Sequence, residues 1–422
     1  MGSGKIMGRK TPKVNVRHVD VFLCIYIVTL LAFKSGGVET AICTAAFALF
    51  VLSGLVTICV GRQEIKAAIV DRYICCLVLF WVFSWASYLW ALFPTFVFDS
   101  AILKRAAQII LSTFLLVGIS KVRQNYGRTL LLVFTVGALI AVLILLIRVP
   151  ISEWGEERLG TEAMGINANS LGVLLSLACC SCLYFLEKDR QGLWAILGIL
   201  FYIVVIFTGT RQAMLTPLLY IAVRLLLDAK NVRTYFYIAL FFAAVTTLYQ
   251  FLITDPSMRV IVGDRLEQLV ASVTGIGSYT EHSIIERSEF RSWAMELFFR
   301  SPIVGIGFNG FAGWLAASGY PHITTSHCNY TEILSGLGAI GFVLFYIPYF
   351  IVLRRAFSAR KHFADARAIV AVIAVMLVTQ YAGEVFSNIA YSIYFAGIYI
   401  SSAGSSNGGV SIESRVSSGG RR

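Results

Sequence analysis

Runs of about 15 to 25 apolar residues recur along the whole chain, and they restrict its fold more than any motif does. A helix of about 20 apolar residues is long enough to cross the hydrocarbon core of a bilayer. A helix in lipid satisfies its own backbone hydrogen bonds, whereas irregular backbone there does not. The chain is 58% hydrophobic, well above the composition of soluble domains. We therefore predict an all-α, polytopic integral membrane protein.

The apolar runs divide the chain into a basic amino terminus at 1–18, spans within 19–254, a large loop at 255–328, further spans within 329–402 and a tail at 403–422. The tail is rich in Ser and Gly, which predicts disorder. The first run lacks a small-residue cleavage site and is predicted to be a signal anchor. The twelve predicted spans lie at 19–33, 38–60, 72–93, 101–119, 129–149, 167–186, 192–209, 212–228, 234–254, 329–353, 366–384 and 387–402.

Lys and Arg residues collect in alternate connections, and this asymmetry predicts the orientation of the chain. Lys5 and Arg9 lie in the amino terminus, and Arg354, Arg355 and Lys361 follow the tenth span. Because basic loops stay in the cytoplasm, both termini are predicted to be cytoplasmic and the loop at 255–328 to face outward. The net charge of +12 follows from this topology, so no nucleic-acid partner is predicted.

The first polar feature of the predicted outer face is the turn TGTRQAML at 208–215, which joins the seventh and eighth spans. Its Arg211 stands against the cytoplasmic bias of basic residues. Such an arginine either reaches lipid phosphates at the membrane surface or offers its planar guanidinium to a ligand phosphate. The second reading makes Arg211 a candidate binding residue.

The second feature is an amphipathic segment of the large loop. From Glu286 to Arg300, apolar residues recur at helical spacing, which predicts a helix on or near the membrane surface. Arg287 and Arg291 are four residues apart and share one face of it. Solvated charge is the alternative interpretation for Arg291 and Arg300.

The third feature is His327, in the sequence SHCNY at 326–330, where the large loop enters an apolar span. An imidazole at a membrane boundary costs free energy, so its presence there suggests a function. A lone histidine is more often a surface or structural residue, and His282 and His322 are predicted to be solvated. Gly338 is expected to allow close packing of the following helix, as is Gly341. The cysteines show no metal-ligand spacing, and no metal or cofactor is predicted.

Four segments, in this order, resemble the O-antigen ligase and O-antigen polymerase family. They cover about 158–341 and read RLGTEAMGINANSLG, TGTRQAML, RSEFRSWAMELFFRSPIVGIGFNGF and HCNYTEILSGLGAIG. The chain departs from the family pattern at three positions. Cys328 stands where asparagine is common, Gly336 where an acidic residue is frequent, and Ala168 where proline is usual.

The resemblance implies a membrane glycosyltransferase that acts without a metal on an undecaprenyl-diphosphate-linked oligosaccharide. In this interpretation His327 is the catalytic base, and Arg211 and Arg287 bind the diphosphate. Candidate supporting residues are Asn169, Tyr330, Asn329 and Arg291, of which Arg291 does not match the family arginine. The implied location is a bacterial plasma (inner) membrane, with the active site on the outer face. The partners implied are the lipid-linked glycan and membrane lipid, with a chain-length regulator or a flippase as further candidates.

Several functions remain open at this stage. A polymerase that joins repeat units is favoured over a ligase that transfers the glycan to lipid A-core. A twelve-span transporter or lipid-linked oligosaccharide flippase would also suit the layout. However, no internal repeat is evident, and the polar residues gather at one face. A structural scaffold would leave Arg211 and His327 unexplained.

Overall fold

The computed structural model describes residues 17–33, 37–59, 62–150, 154, 159, 167–229, 232–264, 266–267, 270, 282–360 and 364–418. Several predictions concern residues outside these ranges. They include most of the basic amino terminus, Arg158 with most of the first motif segment, residues 271–281 of the large loop and the last residues of the tail.

A helix occupies each of the twelve predicted spans in the described part of the chain. They are α1 (His18–Ala32), α2 (Gly37–Cys59), α4 (Arg72–Ala86), α5 (Ser100–Val122), α6 (Tyr126–Arg148), α7 (Ala168–Asp189), α8 (Gly192–Phe207), α9 (Arg211–Leu227), α10 (Val232–Thr254), α13 (Asn329–Ala359), α14 (Ala364–Thr379) and α15 (Ile389–Ser418). Helices also lie in the connections, namely α3 (Arg62–Ile69), α11 (His282–Arg300) and α12 (Gly310–Ala317).

Within the described ranges, seven helices are long and apolar enough to cross a membrane, judged by length and composition. They correspond to α2, α4 with the turn that follows it, α5, α6, α7, α10 and α13. Helix α1, helix α8 and the first half of α15 are apolar but shorter. The fold is therefore that of an all-helical polytopic membrane protein, and the count of twelve crossings stays a prediction.

Polar residues at the span boundaries begin several of these helices. The Asp71 side chain accepts a hydrogen bond from the Tyr73 backbone N–H at the start of α4. Asp99 accepts one from Ile102 at the start of α5, at 2.9 Å. Such caps satisfy backbone donors that have no partner inside the helix. The boundary residues thus fix where an apolar run becomes a helix.

One end of the bundle is held together by ion pairs between helices, and we call it the ion-pair end. The pairs are Arg123–Asp20, Lys121–Asp71, Arg128–Asp189, Lys188–Asp365 and Arg224 with both Glu187 and Asp228. These residues come from the starts of some helices and the ends of others, so the helices concerned alternate in direction. All of them lie at boundaries that the Lys/Arg asymmetry predicts to be cytoplasmic.

The opposite end, which we call the loop end, is held together by backbone contacts across a break in α13. Gly338 has φ +62° and ψ −162°, which interrupts the helix. The segment 302–307, which begins with a turn, docks against this break: Ile306 N–H donates to the Ser335 carbonyl and Gly307 N–H to the Gly336 carbonyl, each at 2.9 Å. The backbone groups freed by the break therefore find partners in the large loop.

The glycines of this junction allow the backbone of segment 302–307 to approach the backbone of α13 closely. A β-carbon at Gly305 would overlap the Gly336 backbone, and one at Gly338 would overlap the Ile303 backbone. Gly305 also has φ +71°, a conformation that other residues rarely adopt. The sequence predicted that Gly338 lets α13 pack closely, and the partner proves to be the loop backbone rather than another membrane helix.

The structure modifies several boundaries. Helix α4 ends at Ala86 and α14 at Thr379, so the connections 87–99 and 380–388 are longer than the span pattern indicated. Helix α15 continues to Ser418, through residues 403–418 for which composition predicted disorder. Extending an existing helix costs less free energy than starting one, which accounts for this continuation.

The apolar face of α11, which the sequence predicted to lie on or near the membrane surface, packs on protein. Its Phe290, Ala294 and Leu297 contact Phe311 and Leu315.

Candidate active site

His327 lies in a strained turn immediately before α13. Its φ is +54°, in the left-handed region. Two contacts hold the turn: the Ser326 N–H donates to Glu332 Oε2 at 2.7 Å, and the Ser326 hydroxyl donates to the Cys328 carbonyl at 3.1 Å. Strain of this kind costs about 1–3 kcal/mol and persists only where the surroundings enforce it. Glu332, which sequence reasoning did not select, therefore helps to fix the position of the histidine.

The surroundings of the imidazole favour its neutral form. The ring stacks on Phe290 with centroids 6.0 Å apart, and Thr324 Oγ1 lies 3.5 Å from Nε2. Burial and the nearby Arg287 guanidinium lower the pKa of His327, while Glu286 acts in the opposite direction. A lowered pKa leaves the imidazole uncharged near neutrality, which is the state that a general base requires.

Helix α11 places two arginines in this environment, and Glu286 is the acid that acts on Arg287. Burial and the like charge of Arg291 lower the pKa of Arg287. Among the described residues, Arg287 forms no ion pair with a carboxylate. The Arg291 guanidinium lies over the Tyr381 ring, 4.8 Å from its centroid. An anion bound here would relieve the repulsion between the two guanidiniums.

The arginine turn at 208–212 packs against the start of α7. The Thr210 hydroxyl donates to the Ala168 carbonyl at 3.2 Å and lies 3.4 Å from Asn169 Oδ1. The Thr210 contacts thus bring the Asn169 segment against the turn that carries Arg211. Arg211 is the first residue of α9, where the helix dipole favours a bound anion.

The connection 380–388, with the end of α14, joins these segments, and sequence reasoning did not identify it. The Gln212 side-chain amide donates to the Thr379 carbonyl, and the Asn329 N–H donates to the Gln380 carbonyl at 2.8 Å. Tyr381 lies under Arg291. The arginine turn, the histidine segment and α11 therefore all contact one short stretch of chain. The structure brings Arg287 and Arg291 into electrostatic contact with His327, and it connects the Arg211 turn to them through this stretch.

Asn329 and Tyr330, predicted as supporting residues, make their contacts within the protein. Asn329 Oδ1 accepts hydrogen bonds from the Val385 and Phe386 backbone N–H groups at 3.0 and 3.1 Å, and Asn329 Nδ2 donates to the side chain of Gln380. The Tyr330 hydroxyl donates to the Leu377 carbonyl at 2.5 Å. Both side chains therefore anchor the start of α13 to the end of α14 and to 380–388.

Other ionisable groups of the loop end are arranged as solvated residues. His322 is exposed, as the sequence predicted, and Arg300 is exposed, in line with the alternative interpretation for it. The side chain of His282 lies outside what the structure describes. The described residues contain no group of three His, Cys, Asp or Glu side chains suited to a metal ion.

The fold and this arrangement define a polytopic helical membrane protein with a histidine and two arginines gathered at one end of its bundle. Residues 194–346 match the family model described as O-Antigen ligase. Over this region the chain is therefore similar to the O-antigen ligase family. The match includes Arg211, Arg287 and His327 but not Asn169 or the connection 380–388. No curated protein matches the chain.

Proposed function

We propose that this protein polymerises undecaprenyl-diphosphate-linked oligosaccharide repeat units into a surface polysaccharide, without a metal, at the outer face of a bacterial plasma membrane. The observation that carries the proposal is the stacking of His327 on Phe290 of α11, the helix that bears Arg287 and Arg291. Burial and these arginines lower the pKa of the imidazole, which favours its neutral form. A base beside a cationic pocket suits the transfer of a glycan from a diphosphate leaving group.

Each group has a defined role in the proposed reaction. His327 takes the proton of an acceptor sugar hydroxyl as that oxygen forms a bond to the anomeric carbon of the donor glycan. The bond between this carbon and the phosphate oxygen breaks, and the lipid diphosphate leaves with the electron pair. Arg211 and Arg287 stabilise the negative charge that develops on it, and Arg291 supports them.

An apolar cleft beside the site supports a lipid-linked substrate. It lies between α4, α13 and α15. The lining is largely aromatic and includes Trp81, Phe345, Tyr349 and Phe386. Phe386 belongs to the connection 380–388, and its backbone N–H is bonded to Asn329, two residues after the histidine.

The test uses protein purified into lipid nanodiscs and supplied with the lipid-linked repeat unit of its host, with no ion gradient. The wild type is expected to form longer lipid-linked glycans. His327→Ala is expected to reduce transfer at least about 100-fold. The matched control is His322→Ala, which removes an exposed histidine from the same end and should retain full activity.

Other outcomes would replace the proposal. Transfer only after addition of lipid A-core would identify a ligase. In sealed liposomes, movement of the lipid-linked unit across the bilayer with no new glycosidic bond would identify a transporter. Full polymer synthesis by a normally folded His327→Ala protein would show that another group is the base.

A further inference from the structure

The connection 380–388 carries an acidic side chain, Glu384, that the proposed reaction does not use. Its neighbours in the chain face two different parts of the site. A β-carbon at Gly383 would lie 3.6 Å from Gln212 Oε1, next to the arginine turn. The Val385 N–H donates to Asn329 Oδ1 at 3.0 Å, two residues after His327. Glu384 therefore lies at the junction between the arginine turn and the histidine segment.

One oxygen of this carboxylate is open to a ligand. The Ser387 hydroxyl donates to Glu384 Oε1 at 2.6 Å. Among the described residues, no donor is bonded to Oε2, and the side chain is half-buried rather than fully solvated. An ionised carboxylate accepts several hydrogen bonds and donates none. A group that binds here must bring its own hydrogen-bond donor.

The charges around Glu384 differ from those around His327. Arg287 and Arg291 act on the histidine, whereas burial raises the pKa of Glu384 and Arg105, at the start of α5, lowers it. Glu332, which holds the histidine turn, interacts electrostatically with Glu384. In its ionised form Glu384 would repel a diphosphate, whereas a neutral molecule with hydroxyl donors would not be repelled.

We infer that Glu384 is the binding residue for a hydroxyl group of the saccharide acceptor, through its open carboxylate oxygen, and that it defines an acceptor subsite separate from the diphosphate-binding arginines. The inference rests on the proposed glycosyl transfer and deepens it. Ser387 fixes one carboxylate oxygen so that the other is directed at the acceptor. The site is thus divided between a cationic part for the donor diphosphate and an acidic part for the neutral sugar.

The experiment measures donor and acceptor binding separately. The donor is the host's lipid-linked repeat unit at saturating concentration, and the varied acceptor is the lipid-free repeat-unit saccharide released from the host polysaccharide. Glu384→Ala is expected to raise the acceptor KM about tenfold or more, because a hydrogen bond to a charged group is lost. Inhibition by undecaprenyl diphosphate should stay unchanged. Arg287→Gln should weaken that inhibition and leave the acceptor KM unchanged.

Controls separate binding from folding. Glu296→Gln removes an exposed carboxylate of α11 and should alter neither constant. Thermal unfolding of Glu384→Gln identifies any loss of stability, and Glu384→Asp should recover part of the acceptor affinity. A fall in kcat at constant acceptor KM would overturn the inference, because it would make Glu384 part of the proton transfer.

A binding measurement keeps this inference distinct from the proposed function. Saturation-transfer NMR of the lipid-free saccharide with the purified protein needs no turnover. Binding to the wild type and loss of binding in Glu384→Ala support the acceptor subsite even if no polymer forms. Equal binding by both proteins, or no binding by the wild type, refutes it.

Discussion

The ion-pair end of the bundle and the candidate site at the loop end treat charge in opposite ways. At the ion-pair end, guanidiniums contact carboxylates directly, as in Arg128–Asp189 at 2.7 Å and Arg123–Asp20 at 2.8 Å. At the loop end, Arg287 has Arg291 and His327 as its electrostatic neighbours, and Arg291 lies over an aromatic ring. A cation paired within the protein has its charge already balanced. A half-buried cation beside another cation is stabilised by an anion from outside, which is the property of a binding site.

The ends also differ in what holds their segments together. Side chains from neighbouring helices join at the ion-pair end. The loop end depends on backbone contact between segment 302–307 and the break in α13, which only residues without a β-carbon permit. Side-chain pairs tolerate small movements, whereas interlocked backbones do not. The end held by backbone contacts is the one that carries the candidate site.

The largest effect is expected from placing a β-carbon in the backbone junction. Gly305→Ala would overlap the Gly336 backbone and force alanine into a positive φ. We expect a loss of at least about 3 kcal/mol in stability, or failure to accumulate folded protein. Thermal unfolding in detergent and the yield of monodisperse protein measure this effect.

The matched control for that junction is Gly192→Ala at the other end of the bundle. Gly192 is the first residue of α8, it is exposed, and a β-carbon there would meet no atom within 4 Å. Its stability should stay within about 0.5 kcal/mol of the wild type. Equal behaviour of the two variants would mean that the junction does not have the close backbone contact described.

A pair of arginine variants tests the contrast in charge. Arg287→Gln is expected to lower transfer about 100-fold while stability is retained, because the charge it removes serves the ligand. Arg128→Gln leaves the buried Asp189 carboxylate without its partner and is expected to cost about 3 kcal/mol of stability. Its activity per folded molecule should be that of the wild type.

Activity assays normalised to folded protein, together with unfolding curves, separate the two effects. The contrast between the two ends fails if both substitutions lower activity without changing stability, or if both lower stability alone.

The parts of the molecule that sequence predicted well depend on local pattern. Apolar runs fixed the positions of the helices, since each helix in lipid must satisfy its own backbone. His327 was selected because an imidazole at a membrane boundary is costly without a role. Arg211 was selected because it stands against the cytoplasmic bias of basic residues, and Arg287 because of the family resemblance. Four short segments resemble the O-antigen ligase and polymerase family, and they occur in the order that the family shows. Each of these signals is contained within a few tens of residues.

The parts that sequence missed depend on contacts between distant segments. Glu332 lies within an apolar helix pattern, and only the Ser326 N–H contact shows what it holds. The connection 380–388 was hidden because predicted spans covered all of it but two residues. Its polar residues Gln380, Glu384 and Ser387 were a signal, but nothing local relates them to a histidine more than 50 residues earlier. No pattern in the sequence predicted that segment 302–307 docks against the break in α13.

The smallest effect expected, and the sharpest test of the charges around His327, is the pH dependence of transfer. The base works in its neutral form, so kcat/KM falls as pH drops through the histidine pKa, which lies below its ordinary value. Arg287→Gln removes a positive charge that lowers this pKa, so the acid limb should move to higher pH. Glu286→Gln removes a negative charge that raises it, so the limb should move to lower pH, while its amide oxygen still accepts the Tyr320 hydroxyl. Glu296→Gln should leave the limb in place. Shifts of the same sign in the Arg287 and Glu286 variants would show that the limb reports a group other than His327.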